Sequence, residues 1–228
     1  MTTGKIIGAA ALVWAAGTIP AMALDAAPAT WPDTPLARAE ALALIETLNA
    51  DLLSHDSATL TLERWCGAHD LAAPAKVIAQ RVHGQDKPLP AKWRTTMGIS
   101  MQEPVKYRRV QLMCGAHVLS EADNWYVPAR LTAVMNSQLD DSDTPFGKVV
   151  QPLHFRRQTL DAKVLWSPLR DGWETLGVAP AQPGNKLRIP PQILQHRAVL
   201  YTGDNQPFSL VVETYTDQLL AFPAPPAR

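Results

Sequence analysis

Apolar residues return every three or four positions through LARAEALALIETLNADLL, where Ala41, Leu44, Ile45, Leu48 and Leu52 fall on one helical face; a helix is expected from Leu36 to Leu53. The pattern breaks at His55-Asp56-Ser57 and resumes over Ala58–Trp65, so a second helix is expected with Asp56 or Ser57 as its N-cap. After a loop bearing proline and lysine, Lys87 to Lys92, the pattern becomes strand-like. VKYRRVQLM from Val105 to Met113 and WYVPARL from Trp125 to Leu131 are expected strands, with a short helix from Thr132 to Leu139. Thr144-Pro145 opens a further helix, with Thr144 as cap and Pro145 at its first position. Ala198–Tyr201 and Pro207–Thr216 read as a hairpin around Gly203-Asp204-Asn205-Gln206. Helices first and hairpin-linked strands later predict an α+β domain built on an antiparallel sheet.

The N-terminus departs from these patterns. MTTGK precedes the apolar run IIGAAALVWAAGTIPAM, and Ala21-Met22-Ala23 closes it with a small-x-small site. That order describes a signal peptide over 1–23, and hence a periplasmic or secreted protein without a membrane anchor once the leader is removed. Residues 24–35 read as a Pro/Ala linker, 36–220 as one domain, and 221–228 as a proline-rich tail that is disordered or packed across the surface. A chain of 228 residues, 46% of them hydrophobic, can bury one sizeable core. Its 21 basic residues balance 21 acidic ones, which argues against nucleic acid as a partner. A monomer is expected.

Three charges stand inside apolar strand patterns: Arg108 or its neighbour Arg109, Arg130, and Glu213 in FSLVVETYT. Such charges are costly unless they are paired, used, or on a solvated face. Alternation places Glu213 with Val211 and Ser209, opposite Phe208, Leu210 and Val212, without deciding which face is covered. The amides of Ala58 and Phe146 lie at expected helix starts, where the first N–H groups have no partner within the helix. Together these groups suggest a pocket for a small organic acid. Asp140-Asp141-Ser142-Asp143 lacks the glycine and terminal glutamate of a calcium loop and reads as a turn.

Several strings, in order, resemble the chorismate pyruvate-lyase family: DSATLTLE (56–63), RRVQLMC (108–114), VPARLT (127–132), DTPFG (143–147), LW (165–166) and GDNQPFSLVVETYT (203–216). The resemblance implies a chorismate-lyase-like fold, an antiparallel sheet with helical flaps over an internal pocket. It implies a lyase that eliminates pyruvate from chorismate or a related enolpyruvyl acid to give 4-hydroxybenzoate, without metal or organic cofactor. On this resemblance Arg109 would grip the ring carboxylate with the amides of Ala58 and Phe146, and Glu213 would hold the ring hydroxyl. Arg130 would meet the second carboxylate. The alternative on the same scaffold is a non-catalytic, exported binder of aromatic acids.

CGAH occurs twice, at Cys66–His69 and Cys114–His117, and these are the only two cysteines. The copies fall in different kinds of element and lack the paired-ligand spacing of structural zinc, so no metal is expected. Export favours a Cys66–Cys114 disulfide, with two buried free thiols as the other reading.

Overall fold

The computed structural model describes Met1, residues 30–180 and residues 184–226. The expected leader therefore lies outside the described residues apart from Met1. Helix α1 spans Pro35–Ser54; the Thr34 side chain accepts the Ala37 N–H at 3.1 Å, and Pro35 occupies the first turn, where no donor is needed. Ala41, Ile45, Leu48 and Leu52 are buried along its inner face, while Leu44 is half-buried at the margin. Helix α2 spans Ala58–Ala68 and is capped by Ser57, whose Oγ accepts the Leu60 N–H at 3.4 Å.

Among the described residues six strands follow: β1 (Val77–Arg81), β2 (Lys106–Cys114), β3 (His117–Tyr126), β4 (Arg156–Val164), β5 (Gln192–Tyr201) and β6 (Pro207–Thr216). They form one sheet in the order β1-β2-β3-β6-β5-β4, and every neighbouring pair is antiparallel. The shorter helices are α3 (Ala91–Thr96), α4 (Ala133–Asp141), α5 (Phe146–Val149) and α6 (Trp173–Leu176). The α+β class, an antiparallel sheet with helices packed on it over an internal pocket, is the one expected from the sequence.

The two faces of the sheet carry different cores. On one, α1 and α2 pack Ile45, Leu48, Leu62 and Trp65 against Val110, Leu112, Ala122, Ala198 and Val211. On the other, Met97, Ile99 and Leu89 cover Trp125, Val199 and Leu210. A third cluster around Tyr126, Leu139, Phe146 and Phe208 closes one end. Trp31, in the described part of the expected linker, is buried, donates Nε1–H to the Leu220 carbonyl at 3.0 Å, and meets the ring of Phe222 in the tail edge-on.

Some expected boundaries shift. HVLSEADNWY is a full strand, β3, and only Trp125-Tyr126 of the expected 125–131 strand belongs to it. Pro128 has no N–H to give a ladder, and Pro128–Arg130 form a 3₁₀ turn instead. Strands β1 and β4 and the first half of β5 were not expected from the sequence; β4 runs along the sheet edge with exposed or half-buried side chains.

Candidate functional site

Register decides which arginine faces inward. In β2 the buried positions are Arg108, Val110, Leu112 and Cys114, and the half-buried ones are Tyr107, Arg109, Gln111 and Met113. Opposite Arg108 stands Asn124, and opposite Val110 stands Ala122, which in turn faces Glu213 on β6. These side chains share the face covered by α2. With the first turn of α2 (Ser57, Ala58, Thr59), with Phe146 and Gly147 of α5, and with Arg157 of β4, they enclose a cavity of about 40 Å³.

Glu213 is buried, and its Oε2 accepts from Arg157 Nη2 at 2.6 Å and from the Tyr215 hydroxyl at 3.2 Å. Burial, then the Glu213 carboxylate, push the Tyr215 hydroxyl far above its usual range, so it stays a donor. The backbone N–H of Arg157 donates to Asp56 Oδ1 at 2.7 Å, which ties β4 to the entry of α2. His196, paired in register with Glu213, is also buried, with Nε2 2.8 Å from Asn49 Oδ1 of α1.

Arg108 is the anomalous group. It is 3% exposed, and its Nη2 donates to the carbonyls of Ser142 at 3.3 Å and Thr144 at 3.2 Å. Its Nε and Nη1 are buried without a hydrogen-bond partner, and no described carboxylate lies within ion-pair distance. Burial, then the charge of Arg81, press its pKa down to about 10, against the opposing influence of Tyr126, Asp143 and Asp140. It is still a cation at neutral pH.

The structure brings together Ala58, Phe146 and Glu213 of the sequence-derived set, and leaves two members outside the cavity. Arg109 points to the other face of the sheet, where Nη2 lies 3.2 Å from Glu121 and Nη1 3.6 Å from Asp123. One residue of register separates it from Arg108, and one residue reverses the face. Arg130 leaves the 3₁₀ turn to bond Glu103 at 2.8 Å and the carbonyls of Met97 and Pro207. Arg157 was missed; the alternation of Arg157 and Thr159 through β4 was the available signal.

Cys66 and Cys114 form a disulfide that fastens the end of α2 to the end of β2. The histidines of the two CGAH copies are occupied elsewhere. His69 Nδ1 lies 2.9 Å from the Trp65 carbonyl, and His117 Nδ1 lies 3.1 Å from Gln218 Oε1.

The fold and this cavity define an α+β protein with a largely apolar internal pocket, bearing a few charged side chains, beneath a helical cover. The chain is 53% identical over 196 residues to the uncharacterized protein y4mC of Sinorhizobium fredii (strain NBRC 101917 / NGR234), covering 86% of this chain and 83% of that protein. It belongs to the same family. No protein-family model matches it. Among solved structures it is similar to PhnF from Mycobacterium smegmatis (TM-score 0.46, 14% identity, 76% of this chain and 70% of that one). It is also similar to the ligand-binding domain of a putative GntR-family transcriptional regulator from Bordetella bronchiseptica (TM-score 0.39, 17% identity, 62% and 85%).

These neighbours correct the family resemblance drawn from the short strings. They are named as regulators and ligand-binding domains, not as chorismate pyruvate-lyases, so the lyase assignment and the alternative of an exported aromatic-acid binder are both withdrawn. The exclusion of nucleic acid as a partner and the periplasmic or secreted placement are withdrawn with them, because the neighbours include transcriptional regulators. Among the described residues no helix is long and apolar enough to cross a membrane.

Proposed function

We propose that the chain binds a small anionic molecule in the cavity between the sheet and α2, with Arg108 as the anchor of its negative group. One observation carries this reading: a buried guanidinium has N–H groups on Nε and Nη1 with no partner and no carboxylate beside them. A buried cation left in that state is expensive, and a carboxylate or phosphate oxygen supplies the charged acceptor that these N–H groups lack. Arg157 is different, because its charge is met by Glu213 at 2.6 Å. Val110, Leu112, Ala122, Val211 and Phe146 give the remainder of the cavity an apolar lining suited to a hydrocarbon body.

At about 40 Å³ the cavity has room for a few waters only. A ligand larger than that requires the first turns of α2 and α5 to move outward. These turns touch closely, since a Cβ on Gly147 would lie 3.2 Å from Ser57 Oγ. Calorimetric titration of the purified chain with small carboxylates and phosphate esters tests the reading. Binding is expected for the unaltered chain and for Arg109→Gln, and loss of binding for Arg108→Gln. Equal binding by the Arg108 and Arg109 variants would overturn it.

A further inference from the structure

The chain continues Arg108's charge outward. Arg81, the last residue of β1, stands opposite Val110 in the β1–β2 register and shares the face of Val77 and Ala79. Arg108 is two residues along β2 from Val110 on that same face, so Arg81 and Arg108 are diagonal neighbours, about 7–8 Å apart at the backbone. Both guanidiniums are held by carbonyl oxygens of one segment, Arg81 by Asp140 and Arg108 by Ser142 and Thr144. Carbonyls orient a guanidinium without neutralising it.

Neither arginine forms an ion pair with a described carboxylate, although the strand's other cations do: Lys106 pairs with Asp140 at 2.6 Å, and Arg109 with Glu121 at 3.2 Å. Both unpaired arginines line an outer groove of about 390 Å³, bounded also by His83, Asp86, Tyr107 and Arg109. Arg108 is the residue shared between this groove and the inner cavity. Asp86 contributes the groove's opposing charge yet makes no described ion pair. The repulsion between the two arginines shows in the lowered pKa of Arg108, for which Arg81 is the second cause after burial.

We propose that Arg81 and Arg108 form one bipartite anion site, and that the ligand carries two negative charges, either on one phosphate-like group or on two carboxylates. One charge meets Arg108 at the inner cavity, and the other lies outward against Arg81 at the groove. This rests on the reading of Arg108 as an anion anchor and goes further by fixing the ligand's charge and the side from which it reaches the cavity. Two adjacent unneutralised guanidiniums repel in the free protein, so a divalent anion relieves more than a monovalent one does.

The test uses the full chain at fixed ionic strength, titrated calorimetrically with inorganic phosphate and succinate as divalent probes and acetate as the monovalent one. Phosphate or succinate is expected to bind at least tenfold tighter than acetate. Arg81→Gln should remove that advantage while changing acetate affinity less than twofold, and Arg81→Lys should keep most of it. Arg81 is half-buried at a strand end, so its replacement leaves the core intact. If Arg108→Gln abolishes acetate binding but Arg81→Gln leaves the divalent advantage unchanged, the bipartite site is wrong and the Arg108 anchor stands. If none of the three probes binds, both are wrong.

Discussion

Arg157 on β4 and Glu213 on β6 meet across the intervening strand β5, Nη2 to Oε2 at 2.6 Å, with their side chains only 5% and 8% exposed. Three strands are thus clamped by one ion pair, and Tyr215 adds a second hydrogen bond to the same carboxylate oxygen. Removing one partner leaves the other charge buried, whereas removing both leaves an apolar gap that side chains can fill. Glu213→Leu is therefore expected to destabilise the fold by about 3–5 kcal/mol, and adding Arg157→Met should recover most of that loss. Urea unfolding of the single and double variants checks it. A single variant as stable as the parent would mean that the pair contributes little.

His196 gives the fold a defined acid sensitivity. Burial, then the charge of Arg157, hold its pKa down to about 4 from the ordinary histidine value of 6.5, while Glu213 and Asp161 pull the other way. In the folded chain it is neutral down to that value, but the unfolded chain takes up its proton near pH 6.5. The unfolded state binds more protons between these limits, so this contribution to stability is complete above about pH 6.5 and is lost as pH falls toward 4. Unfolding midpoints measured at several pH values should therefore drop through this window. His196→Leu should show a shallower slope there than the parent; equal slopes would remove His196 as the cause.

The sequence made some of this site legible and concealed the remainder for identifiable reasons. Ala58 and Phe146 line the cavity, and their helix starts carry local signals in the sequence, a cap at Ser57 and a proline at 145. Glu213 stands out in the sequence because a carboxylate inside FSLVVETYT violates its surroundings, and it lines the cavity. The choice between Arg108 and Arg109 needed the absolute phase of β2, and adjacent arginines carry no phase information. The family resemblance selected Arg109; the covered face selects Arg108. Arg130 was misplaced because WYVPARL was read through Pro128, where a ladder donor is missing. Arg157 stayed hidden because an edge strand exposes alternate positions weakly, and its partner lies 56 residues away across another strand.

The disulfide joins residues 48 positions apart, and both cysteines are fully buried. Closing a loop of that length removes conformational freedom from the unfolded chain, which in the chain-entropy account stabilises the fold by about 4 kcal/mol. The paired replacement Cys66→Ala with Cys114→Ala should lower stability by about that amount in urea unfolding. The same variant should loosen the cover of the cavity, because α2 carries Ala58 at one end and Cys66 near the other. Hydrogen exchange along residues 58–68 should then quicken more than exchange in β6, and equal changes in both would mean that the bridge acts on global stability alone.

The two CGAH copies, identical in sequence, should respond oppositely in size to the same substitution. Gly67 lies inside α2 with helical backbone, and an added Cβ would meet the Ala75 methyl at 3.3 Å. Alanine there gains about 0.5–1 kcal/mol of helix preference, offset by that tight contact, so Gly67→Ala should change stability by less than about 1 kcal/mol. Gly115 opens the two-residue turn between β2 and β3, with φ at +57° and Ala72 Cβ only 2.7 Å from where its own would sit. A positive φ at the first turn position suits the type II′ hairpin and asks for glycine. Gly115→Ala combines left-handed strain with a clash against the 72–75 segment, and should destabilise by about 2 kcal/mol or more. Urea unfolding of both variants with the disulfide intact measures the contrast. Similar losses at the two sites would show that the repeated string, and not the turn it occupies, governs the response.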